Sequence, residues 1–148
     1  METQPDFKEL LALFNRNKVE YIVVGAFAMA FHGTPRFSGD IDLYVRPTPE
    51  NARRVTATLH DFGFGSLGLK DKDFEQPGQI IQLGQPPVRI DLITAISGVT
   101  WEEADAGKAA GKYGDIPVHY LGRRQLIANK RASGRKKDLS DLEALGEE

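Results

Sequence analysis

The sequence predicts one α/β domain, a mixed β-sheet with flanking helices. Three observations predict it. Short β-branched runs alternate with helix-period stripes, two of the later runs are spaced as a hairpin, and none of the 148 residues form a linker long enough to separate two domains. A chain of this length buries one core.

Taken in order, DFKELLALFNRN (6–17) sets Phe7, Leu10, Leu11 and Phe14 on one helix stripe, with Asp6 near its start. YIVVG is a short buried strand ending in Gly25, and AFAMAFHG is a helix closed by Gly33. A second strand covers 41–46. Pro47 and Pro49 turn the chain out of it into an amphipathic helix over 49–64, with proline in its first turn. Residues 63–78, rich in Gly, Asp and Lys, read as an exposed connection. QIIQL and VRIDLIT then form a hairpin around residues 84–87. A short helix around Trp101 follows, then KYGDIPVHYL with its Gly-Asp turn, and two closing helices, 122–133 and 136–146, broken at Gly134. Leu139, Leu142 and Leu145 are expected to face the core.

Composition narrows the classes of function. With 19 basic and 21 acidic side chains the net charge is −2, which gives no global pull toward nucleic acid or anionic membrane. There is no cysteine, which excludes disulfides, thiolate zinc sites and cysteine nucleophiles. METQPDFKELLALF lacks the basic-then-apolar order of a secretory signal, and the longest apolar run, IVVGAFAMAF, is too short to span a bilayer. The expectation is a cytoplasmic protein without a membrane partner.

The chemistry gathers around GTPRFSGDIDLYV. Residues two apart in a strand project to one face, so Asp40 and Asp42 point together while Ile41 and Leu43 point the other way. Two carboxylates held that close repel unless something positive lies between them, and a hard cation such as Mg²⁺ (or Mn²⁺) fits that need. A loop running into a strand would also explain the pair. Asp91 adds a third carboxylate inside the apolar run VRIDLIT, where a charge needs a partner. That partner is either a base, Arg89 two residues away on the same face or another at the sheet edge, or a metal held jointly with Asp40 and Asp42. Gly25, where the first strand meets a helix, would let a phosphate approach the backbone, or would simply make a tight turn.

A further asymmetry lies near the end of the sequence. No acidic residue falls between Asp115 and Asp138, yet Arg123, Arg124, Lys130, Arg131, Arg135, Lys136 and Lys137 do. A solvated helix face accounts for part of this. The functional reading has Lys130 reaching a triphosphate and the Arg135, Lys136, Lys137 cluster meeting phosphate or an acceptor. Asp138 and Asp141 read as structural partners of these bases. Arg36 and Ser38, ahead of the Asp pair, would position a phosphate or a metal-bound water, or brace the loop. The three histidines show no ligand spacing.

The order of these motifs resembles that of the DNA polymerase β-like nucleotidyltransferase superfamily: a Gly-Gly or Gly-Ser turn, then Asp-x-Asp, then a third Asp on a later strand. The nearer resemblance is to its small single-domain bacterial members, including those akin to AbiEii-type toxins. It rests on VVGAFAMAFHGTPRFSGDIDLYV, PPVRIDLIT and NKRASGRKKDLSDLEAL, from about residue 20 to about residue 145. The resemblance implies a nucleotidyltransferase-like fold. It also implies attack of an acceptor hydroxyl on the α-phosphate of a nucleoside triphosphate such as ATP, with loss of pyrophosphate. Asp40 and Asp42 would hold two metals, and Asp91 would complete the shell of the catalytic one and help accept the hydroxyl proton. Gly25 matches the first residue of the phosphate turn. Ala26 departs from the usual Gly or Ser, which leaves backbone amides to contact phosphate. Within that family a lysine in this region contacts the nucleotide, which points to Lys130. The acceptor is open: RNA, a protein side chain or a small molecule. One branch of the resemblance is the toxin of a toxin–antitoxin pair, with an antitoxin as partner. A second reading is a nucleotide- or RNA-binding module that kept the fold and lost catalysis.

Overall fold

In the computed structural model, which describes residues 3–35, 38–85 and 87–147, six strands form one mixed sheet in the order β3-β4-β2-β1-β6-β5. The chain enters through helix α1 (Pro5–Arg16), whose Phe7, Leu10, Leu11 and Phe14 are all buried, as their spacing predicts. β1 (Tyr21–Val24) pairs antiparallel with β2 (Asp40–Val45) and parallel with β6 (Ile116–Tyr120). Between β1 and β2 lies α2 (Gly25–Phe31). β2 pairs parallel with β4 (Val88–Ile93), and β3 (Ile80–Gln85) closes that edge as an antiparallel hairpin with β4. β5 (Ala109–Tyr113) and β6 form the hairpin at the other edge.

Strand alternation divides the interior into two cores. Ile41, Leu43 and Val45 of β2, with Ile90 and Leu92 of β4, pack toward α1 and α3 (Pro49–Leu59). Ile22, Val24 and Tyr44 pack on the opposite face. There they meet α4 (Trp101–Gly107), α5 (Arg123–Ser133) and α6 (Lys136–Ala144). Asp40 and Asp42 belong by parity to that second face, beyond the part these helices cover. α3 is fixed at its start by two devices. Thr48 caps it, and the buried Asn51 amide accepts from the Glu20 amide and donates to the Glu20 and Arg46 carbonyls.

Three expectations are corrected. The helix predicted over 49–64 stops at Leu59 and loosens into a wide turn over His60–Phe64, because Gly63 takes a φ of 106° that no α-helix contains. The connection 63–78 is not merely exposed, since Phe74 within it is fully buried against the first core. Leu139 is 52% exposed, although Leu142 and Leu145 are buried as expected. The inward turn of α6 at that point is taken instead by Asp138 and Asp141, which face a buried lysine.

Candidate active site

The site is laid down by sheet register. β2 and β4 run parallel with Asp42 opposite Asp91 and Asp40 opposite Arg89, so all four side chains share one face. One oxygen from each of Asp40, Asp42 and Asp91 lies within 4.8 Å of the others. Oxygens on opposite sides of one Mg²⁺ at about 2.1 Å are about 4.2 Å apart, so a small contraction would let the trio share a cation. All three donors are hard carboxylates, the chemistry that suits Mg²⁺ or Mn²⁺. The residues present therefore fit such an ion.

The cluster is electrostatically uncomfortable without one. The Asp42 carboxyl is pushed up from 3.8 to about 7, first by burial, then by the charges of Asp40 and Asp91 and by a hydrogen bond with Asp91. Lys137 pulls weakly the other way. Asp91 is 6% exposed and already has a counter-charge. Arg89 grips it bidentately, Nε to Oδ1 at 2.9 Å and Nη2 to Oδ2 at 3.0 Å. Of the two partners left open for Asp91 by the sequence, Arg89 is in place, and the carboxylates that would share a metal are gathered beside Asp91. It pairs with Arg89 and sits in the carboxylate trio. Each carboxylate oxygen has a second lone pair, so the two are compatible.

Gly25 is bound to this site by contact. It has φ +68°, and a Cβ there would overlap Asp42 Oδ2 and stand 3.0 Å from Asp42 Cγ. Only glycine suits that backbone and that clearance. Ser38 braces the other carboxylate: its hydroxyl donates to Asp40 Oδ1 at 2.7 Å and accepts from the Asp40 amide at 3.3 Å.

The trio opens into a cleft of about 520 Å³, which gathers most of the residues singled out from sequence. Gly25, Ala26 and Ser38 line it, as do Lys130, Arg135 and Lys137. Lys136 is exposed and does not line it, and Arg36 lies outside the described residues. Lys130 is not a free cation. It is 5% exposed, with Nζ 2.9 Å from Asp141 and 3.5 Å from Asp138, which Arg135 also holds bidentately. Three polar cleft residues went unnoticed in the sequence, Ser97, Asn129 and Ser133. Ser133 stands one turn from Lys130, a spacing that would have flagged it. Asn129 donates to the Ser97 carbonyl at 2.9 Å, a tie invisible before folding.

No protein-family model matches the chain, and no curated protein matches it. Solved structures do. A candidate nucleotidyltransferase from Thermotoga maritima superposes with TM-score 0.65 at 13% identity, over 96% of this chain and 93% of that one. The lincosamide antibiotic adenylyltransferase LnuA, bound to lincomycin, gives 0.57 at 14%, over 97% and 96%. An antigenic nucleotidyltransferase-like protein from Paracoccidioides brasiliensis gives 0.57 at 13%, over 97% and 75%. At these identities the likeness is one of fold. The chain has the nucleotidyltransferase fold, as its motif order predicts.

Proposed function

We propose that the chain is a nucleotidyltransferase that moves a nucleoside monophosphate from a nucleoside triphosphate to a hydroxyl acceptor. One observation carries this reading: on a nucleotidyltransferase fold, three carboxylates share a sheet face and open into a cleft that is also lined by Lys130, Arg135 and Lys137. Carboxylates and bases gathered in one cleft suit a metal-bound polyphosphate.

Asp40, Asp42 and Asp91 would hold Mg²⁺ or Mn²⁺, which when bound neutralises charge on the phosphates and on the attacking oxygen. The acceptor oxygen forms a bond to the α-phosphorus as the bond to the bridging oxygen breaks. Pyrophosphate leaves with that electron pair, and the hydroxyl proton passes to Asp91. Lys130 and Lys137 bind the departing phosphates, and Gly25 and Ala26 present backbone to the triphosphate. Ser38 and Arg89 orient Asp40 and Asp91. The reading is tested with labelled ATP and Mg²⁺. Wild type should bind nucleotide only with metal, and Asp42→Ala should abolish that binding; equal binding by the two proteins would refute it.

A binding module without catalysis is the second reading. It is favoured by Ala26 in the phosphate turn and by Arg89 already holding both oxygens of Asp91. Absence of pyrophosphate release across a wide acceptor panel, with Asp42-dependent nucleotide binding intact, would select it.

A further inference from the structure

A second cavity, of about 440 Å³, adjoins the cleft at Ala95, which lines both. The partition between them is the turn after β4. Ile96 and Ser97 face the cleft, whereas Val99 faces the cavity. That turn is rigidly held. Ile96 bridges to Val99, Asn129 binds the Ser97 carbonyl, and Gly98 sits so close to α5 that a Cβ would stand 2.6 Å from Ala132 Cβ.

The cavity is built from aromatic bodies with polar ends. Tyr44 and Trp101 meet edge to face at 5.1 Å and are 3% and 6% exposed. Neither the Tyr44 hydroxyl nor the Trp101 indole N–H bonds to a described residue, yet no buried side-chain nitrogen or oxygen among those residues lacks a partner. Both residues line the cavity and each keeps a small exposed part. Glu102 lines the same space and forms no ion pair or hydrogen bond with a described residue. The cavity's one arginine, Arg46, is already bound to Glu20 at 3.0 Å. A mostly apolar chamber with two donors and one carboxylate that bond to no described residue suits an amphipathic cation.

Its position says which substrate. In-line displacement puts the attacking oxygen opposite the leaving pyrophosphate. The cations suited to pyrophosphate lie on α5 and α6, and no residue of either helix lines the cavity. It opens instead at the end of β4, the strand that carries Asp91. We propose that this cavity is the acceptor subsite, and that the acceptor is a compact, mostly apolar small molecule bearing a hydroxyl and an amino group that pairs with Glu102. The inference rests on the function proposed above.

Trp101 is the chain's single tryptophan, so its emission reports occupancy of the cavity directly. An aminoadamantanol and the matching adamantanediol serve as ligands, titrated against wild type and Glu102→Gln, an exposed substitution that leaves the core intact. The expected result is a saturable emission change, about tenfold tighter for the amine than for the diol in wild type, with that preference lost in Glu102→Gln. Saturating Mg²⁺–ATP should leave the amine bound. Displacement of the amine by Mg²⁺–ATP would make the cavity a nucleoside site and overturn the assignment, as would no saturable response. Calorimetry of Mg²⁺–ATP on wild type and Asp42→Asn separates the two ideas. Asp42-dependent nucleotide binding without amine binding sinks the subsite alone, whereas amine binding without it sinks the nucleotidyltransferase reading and the acceptor role with it.

Discussion

Gly25 stands against Asp42 with no room for a side chain: a Cβ at 25 would overlap Asp42 Oδ2. The glycine at the head of α2 and the central carboxylate of the site are one constraint, fixed by the antiparallel register that sets Val24 beside Asp42. The phosphate-turn reading of Gly25 comes from motif order. The contact with Asp42 gives a separate reason for glycine there.

Gly25→Ala is accordingly expected to strike the metal site. The left-handed backbone alone costs ~1–3 kcal/mol for a residue with a side chain, and the overlap forces Asp42 aside. Denaturant unfolding should report the first effect, and calorimetry should show Mg²⁺–ATP affinity falling by more than the stability loss explains. Unchanged affinity would show that Asp42 tolerates the displacement.

The pH behaviour follows from the raised Asp42. Its carboxyl titrates at 3.8 unfolded and about 7 folded, so the folded state holds the proton more tightly across that window. The stabilisation this gives is complete below 3.8 and is lost as pH rises toward 7. Metal-free wild type should therefore lose stability across the window relative to Asp42→Asn, and Mg²⁺ should restore it. Mg²⁺ affinity should climb with pH and level off above about 7, with proton release seen as a buffer-dependent heat.

Arg89 neutralises part of the cage from β4, through its bidentate grip on Asp91. Arg89→Gln removes that positive charge and should move the midpoint of the Mg²⁺-binding pH profile upward. A midpoint that stays put would mean that solvent already screens Arg89, which is about one-third exposed.

Lys130 sits between α5 and α6 as a buried ion-pair partner. Lys130→Met leaves buried carboxylates short of a partner and should cost about 3–5 kcal/mol. Adding Asp141→Asn removes one stranded charge and should recover much of that stability in denaturant unfolding. Nucleotide affinity should stay low in the double variant, because one of the cations lining the cleft is gone. Full recovery of affinity would make Lys130 purely structural.

Much of the fold is legible in local pattern. The stripe Phe7, Leu10, Leu11, Phe14 encodes α1, and the alternation in DIDLYV puts Ile41 and Leu43 in one core and Asp40 and Asp42 on the other face. Period is a local property, and the sheet preserved it. Leu139 departs from its expected burial because hydrophobic spacing says nothing of what faces it, and what faces that turn of α6 is Lys130. The end of α3 departs from the pattern because Gly63 breaks the backbone where the polar pattern continues.

By itself the sequence determined the parts: three carboxylates on strands, a glycine at a strand-to-helix junction, and a basic segment near the end. Tertiary structure decided their relations. Parallel pairing of β2 with β4 put Asp42 beside Asp91, across nearly fifty residues of intervening chain. The packing of α6 on α5 turned Lys130 from a solvated base into a buried one. The turn after β4, tied to α5 through Asn129, set a second cavity beside the first. Those are long-range contacts, and only the closed fold brings their partners within reach.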